Sequence, residues 1–191
     1  MNSISKRYTI KIPKNVNMYY CDTKHIIVLA NSFAQKTLIL KTKIIIEEKN
    51  KIIKVTREPF LNTSNNEKKK LKAVQGTQVN LLKQMLLDIS VLFCKKLNIV
   101  GVGFRVSTLK ISWLTILHFK LGYSHHIYFK VPKNLEIFCL KANKLFIIGD
   151  SYLFVTQVAA LVRSFKIPEP YKGKGIVYAT EKIIIKEGKK A

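Results

Sequence analysis

Residues 167–176 read Ile-Pro-Glu-Pro-Tyr-Lys-Gly-Lys-Gly-Ile, the one grouping in the chain whose residue types and spacing suit a definite chemistry. Pro168 and Pro170 fix φ and remove backbone donors, while Gly173 and Gly175 admit positive φ. The run is therefore a shaped loop that continues neither a helix nor a central strand. It presents Tyr171, Lys172 and Lys174, two ammonium groups beside a flat aromatic ring, on a backbone whose glycines let a guest come close. That chemistry is phosphate binding. A basic surface turn is the plainer explanation for two lysines in an average protein. Against it stand the paired prolines and glycines, the basic flanks Arg163, Lys166, Lys182 and Lys186, and the charge of the whole chain.

Other chemistries find less support. His25, His118, His125 and His126 are the only imidazoles, and no carboxylate lies at a spacing that would orient one as a base. If His125 and His126 are extended they point to opposite faces, one expected buried and one exposed. The eleven acidic residues are scattered, with Glu47-Glu48 the only adjacent pair, whereas a two-metal nuclease needs carboxylates gathered in one pocket. Gly173-Lys174-Gly175 lacks the leading glycine spacing and the Ser/Thr of a nucleotide-binding loop, and Gly101-Val102-Gly103 lacks the third glycine of a dinucleotide fingerprint. Cys21, Cys94 and Cys139 are too far apart for a zinc site or a disulfide framework, and are expected to be buried thiols in a reducing compartment. No catalytic residue, metal or cofactor is expected.

The formal net charge is +23 over 191 residues, and self-repulsion on that scale calls for an anionic partner. Nucleic acid fits best. A membrane surface is the competing anion, but no run of about 18 uncharged apolar residues is present. Only four of the 34 cations are arginine. Lysine binds phosphate as a point charge and arginine is preferred for reading base edges, so the bias suits backbone and shape recognition. It is also what an AT-rich genome, common in organelles, writes. The N-terminus shows no apolar signal region and no arginine-rich amphipathic helix, so no cleaved address is expected, and an organellar member would be made inside its organelle.

The elements that must hold the loop follow from periodicity. With 48% hydrophobic residues the chain has material for a folded core. Tyr8, Ile10 and Ile12 alternate with polar residues before Pro13, and strands are predicted at 18–21, 25–30, 37–40, 43–47 and 51–56. Residues 61–70 are polar and aperiodic, hence a loop. A helix capped by Thr77 then carries Leu82, Met85, Leu86, Ile89, Leu92 and Phe93 on its core face. A second series of strands is predicted at 98–107, 114–121, 126–131, 135–140 and 144–148. The glycines at 101 and 103 suggest a bulge or a close backbone approach. A second helix, capped by Asp150 or Ser151, bears Phe154, Val158, Leu161, Val162 and Phe165 and delivers the chain into the 167–176 loop. A last strand is predicted at 182–186, before a solvated tail containing Lys189 and Lys190. The fold class expected is α+β: two tandem domains of similar fold, 1–95 and 96–191, each an antiparallel sheet packed with one helix.

The run from Pro168 to Ile176 closely resembles the C-terminal motif of the bacterial-type large-subunit ribosomal protein six family. The likeness extends to residues 96–105 (Lys-Leu-Asn-Ile-Val-Gly-Val-Gly-Phe-Arg), to Leu121-Gly122-Tyr123-Ser124-His125, to Gln157-Val158-Ala159-Ala160 with Arg163, and to Gln75-Gly76-Thr77 with Leu81-Leu82. It is specific from about residue 71 onward. Two family arginines are replaced, by Val79 and Val177, and the 62–70 loop is untypical.

The resemblance implies a non-enzymatic, structural component of the large ribosomal subunit. Its C-terminal domain would lie on rRNA near the sarcin-ricin loop, where translation GTPase factors dock, with other large-subunit proteins as neighbours. The contacts it carries over are Tyr171, Lys172, Gly173, Lys174 and Gly175, then Tyr123, Ser124 and His125. Arg163, Lys166, Lys182, Lys186, Lys189 and Lys190 are expected to add charge around them. The expected location is the mitochondrial large subunit, with plastid or bacterial cytoplasm as alternatives. A basic nucleic-acid-processing enzyme, such as an intron-encoded nuclease, is the rival function, and a protein of anionic membranes the second rival. Neither rival accounts for the Pro-Glu-Pro-Tyr-Lys-Gly-Lys-Gly loop.

Overall fold

The computed structural model describes residues 6–32, 34–47, 50–60, 65–111 and 113–188. It divides into two compact units, Met1–Val91 and Leu92–Ala191. The first runs from a 3-10 turn at Lys6–Tyr8 through β1 (Thr9–Lys11), β2 (Asn17–Cys21), β3 (Ile26–Ala30), β4 (Gln35–Ile39), β5 (Thr42–Glu47) and β6 (Ile52–Pro59) to helix α1 (Asn65–Ser90). The second contains β7 (Phe93–Val100), β8 (Arg105–Ile111), β9 (Leu114–Lys120), β10 (Ile127–Lys130), β11 (Leu135–Lys141), β12 (Lys144–Gly149), α2 (Tyr152–Ser164) and β13 (Gly175–Tyr178). All strand pairs are antiparallel, and the fold is α+β.

The similar fold expected of the two domains is present in the topology. Unit 1 builds its sheets in the orders β1-β6-β5 and β2-β3-β4. Shifting each strand number by six gives β7-β12-β11 and β8-β9-β10, the two sheets of unit 2. Each unit thus has two sheets and one helix where a single sheet was expected. What breaks the equivalence is β13, which adds to the free edge of β7 with Ile176 opposite Ile99. The strand after the Pro-Glu-Pro loop therefore has no counterpart in unit 1 among the described residues.

Each core comes from alternation in strands meeting a helical stripe. In unit 1, Ile10, Ile27, Leu29, Ile53 and Val55 meet Val79, Leu82, Met85, Leu86 and Ile89 of α1. Buried amides fasten that helix: Gln75 Nε2 donates to the Val55 carbonyl at 2.7 Å, and the Thr42 hydroxyl donates to Gln78 Oε1. In unit 2, Leu97, Ile99, Leu117, Phe119, Leu145, Ile147 and Ile176 surround Val155, Val158, Ala159 and Val162 of α2.

Several expectations need correction. Helix α1 starts at Asn65, so 65–70 is helix, not loop, and Thr77 lies inside it, its hydroxyl donating to the Val74 carbonyl at 2.8 Å. Residues 61–64 lie outside the described residues. Glu and Lys are good helix formers and need no apolar face to continue a helix. Leu92 and Phe93 follow α1, and Phe93 opens β7, whose alternation buries Leu97 and Ile99, so the units part four residues before the expected boundary. The predicted strand at 98–107 is two strands joined by a turn at 101–104. On α2 the buried face holds Val155 and Ala159, while Phe154 and Leu161 are exposed. No strand forms at 182–186; the last strand is β13. Cys21 and Cys94 are exposed and Cys139 is half-buried, against the buried thiols expected. His125 and His126 are both exposed, because they lie in an irregular turn where strand alternation does not operate.

Candidate nucleic-acid interface

The loop is framed before anything binds to it. Helix α2 ends with the Phe165 and Lys166 amides donating to the Val162 and Arg163 carbonyls at 3.2 and 3.3 Å. The prolines that follow offer no amide, and four backbone hydrogen bonds close the loop. Ile176 N–H donates to the Lys166 carbonyl at 2.8 Å across the base of the loop. Glu169 N–H donates to the Lys174 carbonyl at 3.0 Å, and Gly173 N–H to the Glu169 carbonyl at 2.9 Å. From the downstream chain Lys186 N–H donates to the Pro170 carbonyl at 2.9 Å.

Both glycines are buried and have positive φ, +66° at Gly173 and +151° at Gly175. At Gly175 a Cβ would sit 2.6 Å from Pro168 Cα and 2.9 Å from the Ile167 carbonyl oxygen, so only glycine allows the two loop stems to touch. The frame turns Tyr171 and Lys172 into solvent and leaves Lys174 half-exposed.

The 122–126 turn meets the loop through Tyr123. Its hydroxyl donates to the Phe165 carbonyl at 3.0 Å, satisfying an orphan acceptor at the end of α2. The Lys166 ammonium lies over the Tyr123 ring at 4.1 Å, and His125 stacks on Tyr123 at 5.6 Å between centroids. Ser124 and His125 are exposed beside it. Phe104, Tyr123, Lys166, Glu169 and Lys174 share the walls of a cleft of about 490 Å³. Phe104 was not singled out from sequence, yet it explains two glycines. Its ring lies where a Cβ at Gly101 or Gly122 would be, 2.6 and 2.9 Å away. The close approach suspected at Gly101 is thus an approach to Phe104, and it locks the 101–104 and 122–126 turns together.

Arg163 is placed differently from the lysines. Its Nε donates to Glu181 Oε2 at 3.0 Å, its second guanidinium nitrogen bonds Oε1, and its Cζ lies 5.6 Å from the Tyr178 ring centre. The Arg163 hydrogen bonds, with help from the Tyr178 N–H, hold the Glu181 carboxyl below the ordinary carboxylate range. This pair ties α2 to the chain beyond β13. Glu181 was the unread partner; a carboxylate 18 residues from its arginine leaves no local signal. Lys182 and Lys186 are exposed along the following segment, and Lys189 and Lys190 lie outside the described residues.

His118 packs against His126 and Tyr128 with Ser107 Oγ 3.4 Å from its Nδ1, and burial, then the proximity of His126 and Lys120, lowers its pKa. Among the described residues no group of three His, Cys, Asp or Glu side chains could hold a metal ion, and no helix is long and apolar enough to cross a membrane.

The pattern of the family described as ribosomal protein L6 matches residues 100–179, which includes both turns, α2 and the loop. Large ribosomal subunit protein uL6 of Mycoplasmoides gallisepticum is 36% identical over 193 aligned positions, spanning 100% of this chain and 98% of that one. The chain belongs to the uL6 family. The Mesoplasma florum uL6 is 42% identical over 73% of this chain and 75% of its own, and that of Chlorobium limicola 40% over 80% and 79%. As a uL6 member the chain is a ribosomal protein with a structural, not a catalytic, role. The two valines that stand where the family resemblance expects arginine, Val79 and Val177, are both buried, so neither position offers a cation here.

Proposed function

We propose that this uL6 chain binds large-subunit rRNA through its C-terminal unit, with the 167–176 loop as the principal contact and the 122–126 turn beside it. The observation that carries the reading is the prior fastening of the loop. Four backbone hydrogen bonds and two buried glycines hold Tyr171, Lys172 and Lys174 outward, so little ordering entropy remains to be lost on binding. Lys172 and Lys174 displace counterions from phosphates, Tyr171 stacks or hydrogen-bonds, and Lys166, Lys182 and Lys186 add charge at the margin. Tyr123, Phe104 and Arg163 position these groups. The site on the subunit is the neighbourhood of the sarcin-ricin loop, beside other large-subunit proteins and near the docking place of translation GTPase factors. The location is a mitochondrial ribosome, a reading supported by the lysine-rich, arginine-poor composition.

Binding of the full chain to large-subunit rRNA, followed from low to high salt, tests this. With about five phosphates neutralised, the log-log slope is expected to be roughly four in magnitude. A slope near zero would contradict it.

A further inference from the structure

Helix α1 carries a glycine in its interior, Gly76, although glycine is the poorest helix residue after proline. A Cβ built there meets nothing within 4 Å, so packing inside the protein does not account for its absence. The space over Gly76 is a cleft of about 530 Å³ lined by Lys72, Asn80 and Lys83 of the same helix and by Arg7 and Tyr8, with no carboxylate among the described residues of its lining. Lys72, Gly76, Asn80 and Lys83 follow one another at steps of three and four, which puts them along one face of α1. At 1.5 Å of rise per residue the two lysines mark the ends of a track roughly 16 Å long.

We propose that this cleft in the N-terminal unit is a second RNA-binding site, which takes the sugar-phosphate backbone of a short rRNA segment. Lys72 and Lys83 each neutralise a phosphate. Between them the missing side chain at Gly76 lets the sugar lie against the helix, where the Asn80 amide both donates to and accepts from a ribose hydroxyl. Tyr8 lines the same cleft. An extended polyanion fits this track better than a single carboxylate, because the cations are spread along it and not gathered at a point. The proposal rests on the reading that the chain binds rRNA, and it assigns a surface separate from the 167–176 loop.

The test uses the full chain and large-subunit rRNA, with three sets of variants titrated against salt. Lys72→Ala with Lys83→Ala is expected to lower the slope by about 1.5. Gly76→Gln is expected to lower affinity about tenfold, through loss of the phosphate contacts. Its melting temperature should stay level or rise by about 3 °C, since glutamine is the better helix former. Lys172→Ala with Lys174→Ala is the third set, and its effect should add to that of the cleft lysines, because the two sites lie in separate compact units. If the loop variants lower the slope and the cleft variants leave slope and affinity unchanged, the second site is overturned and the loop reading stands. If neither set changes the slope, both fail. Preferential capture of an acidic peptide by the cleft, with rRNA affinity unaffected by Gly76→Gln, would also overturn it.

Discussion

Gly175→Ala is expected to destabilise the C-terminal unit by about 3 kcal/mol and to abolish rRNA binding, since it combines a backbone strained for any L residue with a clash against main chain. At φ +151° the added methyl lies 2.6 Å from Pro168 Cα and 2.8 Å from Pro168 N. These are backbone atoms of a residue whose own φ is locked, so no side chain can rotate away to make room. Relief requires the two stems of the loop to part, which breaks the hydrogen bond from Ile176 to the Lys166 carbonyl and shifts β13 off the edge of β7. Gly173→Ala is the control. A Cβ there meets nothing within 4 Å, leaving only the left-handed conformation to strain, roughly 1 kcal/mol. Urea unfolding followed by hydrogen exchange at β7 and β13 separates the two, and equal losses would contradict the packing argument.

Lys172→Ala with Lys174→Ala is expected to do the reverse, leaving the fold and removing the affinity. Lys172 is exposed, Lys174 is half-exposed, and the loop is held by backbone bonds that neither side chain makes. Stability should change by no more than about 0.5 kcal/mol. Two of the neutralised phosphates lose their partners, so the slope is expected to fall by about 1.5. If the two proteins bind alike near 1 M salt, that slope difference corresponds to roughly a 30-fold loss at 0.1 M. Titration by fluorescence anisotropy at several salt concentrations reads both numbers, and an unchanged slope would move the contact elsewhere on the surface.

The loop could be recognised in the sequence because its proline and glycine punctuation is local, and local constraints survive without knowledge of the fold. The same holds for most strands, whose alternation reflects one buried face. What could not be read depends on distant partners. The stretch at 182–186 has the composition of a strand, but the edge of β7 is already taken by Gly175–Tyr178. Arg163 counted as a free cation because nothing local marks Glu181 as its partner. Helix α1 begins in a polar segment, so periodicity has nothing to report until Val79 and Leu82. Of the likeness between the two units, the shared order of parts, several strands and then one helix, could be read; the matching strand order within sheets could not, because it depends on pairing between distant segments.

The most direct measurement is the reactivity of lysine amines toward an acylating reagent, read by mass spectrometry in the free chain and in the assembled large subunit. Lys172 and Lys174 are expected to react readily in the free chain and to be protected in the particle. Equal reactivity of both amines in the two states would mean that the loop faces solvent in the ribosome, and would contradict the account.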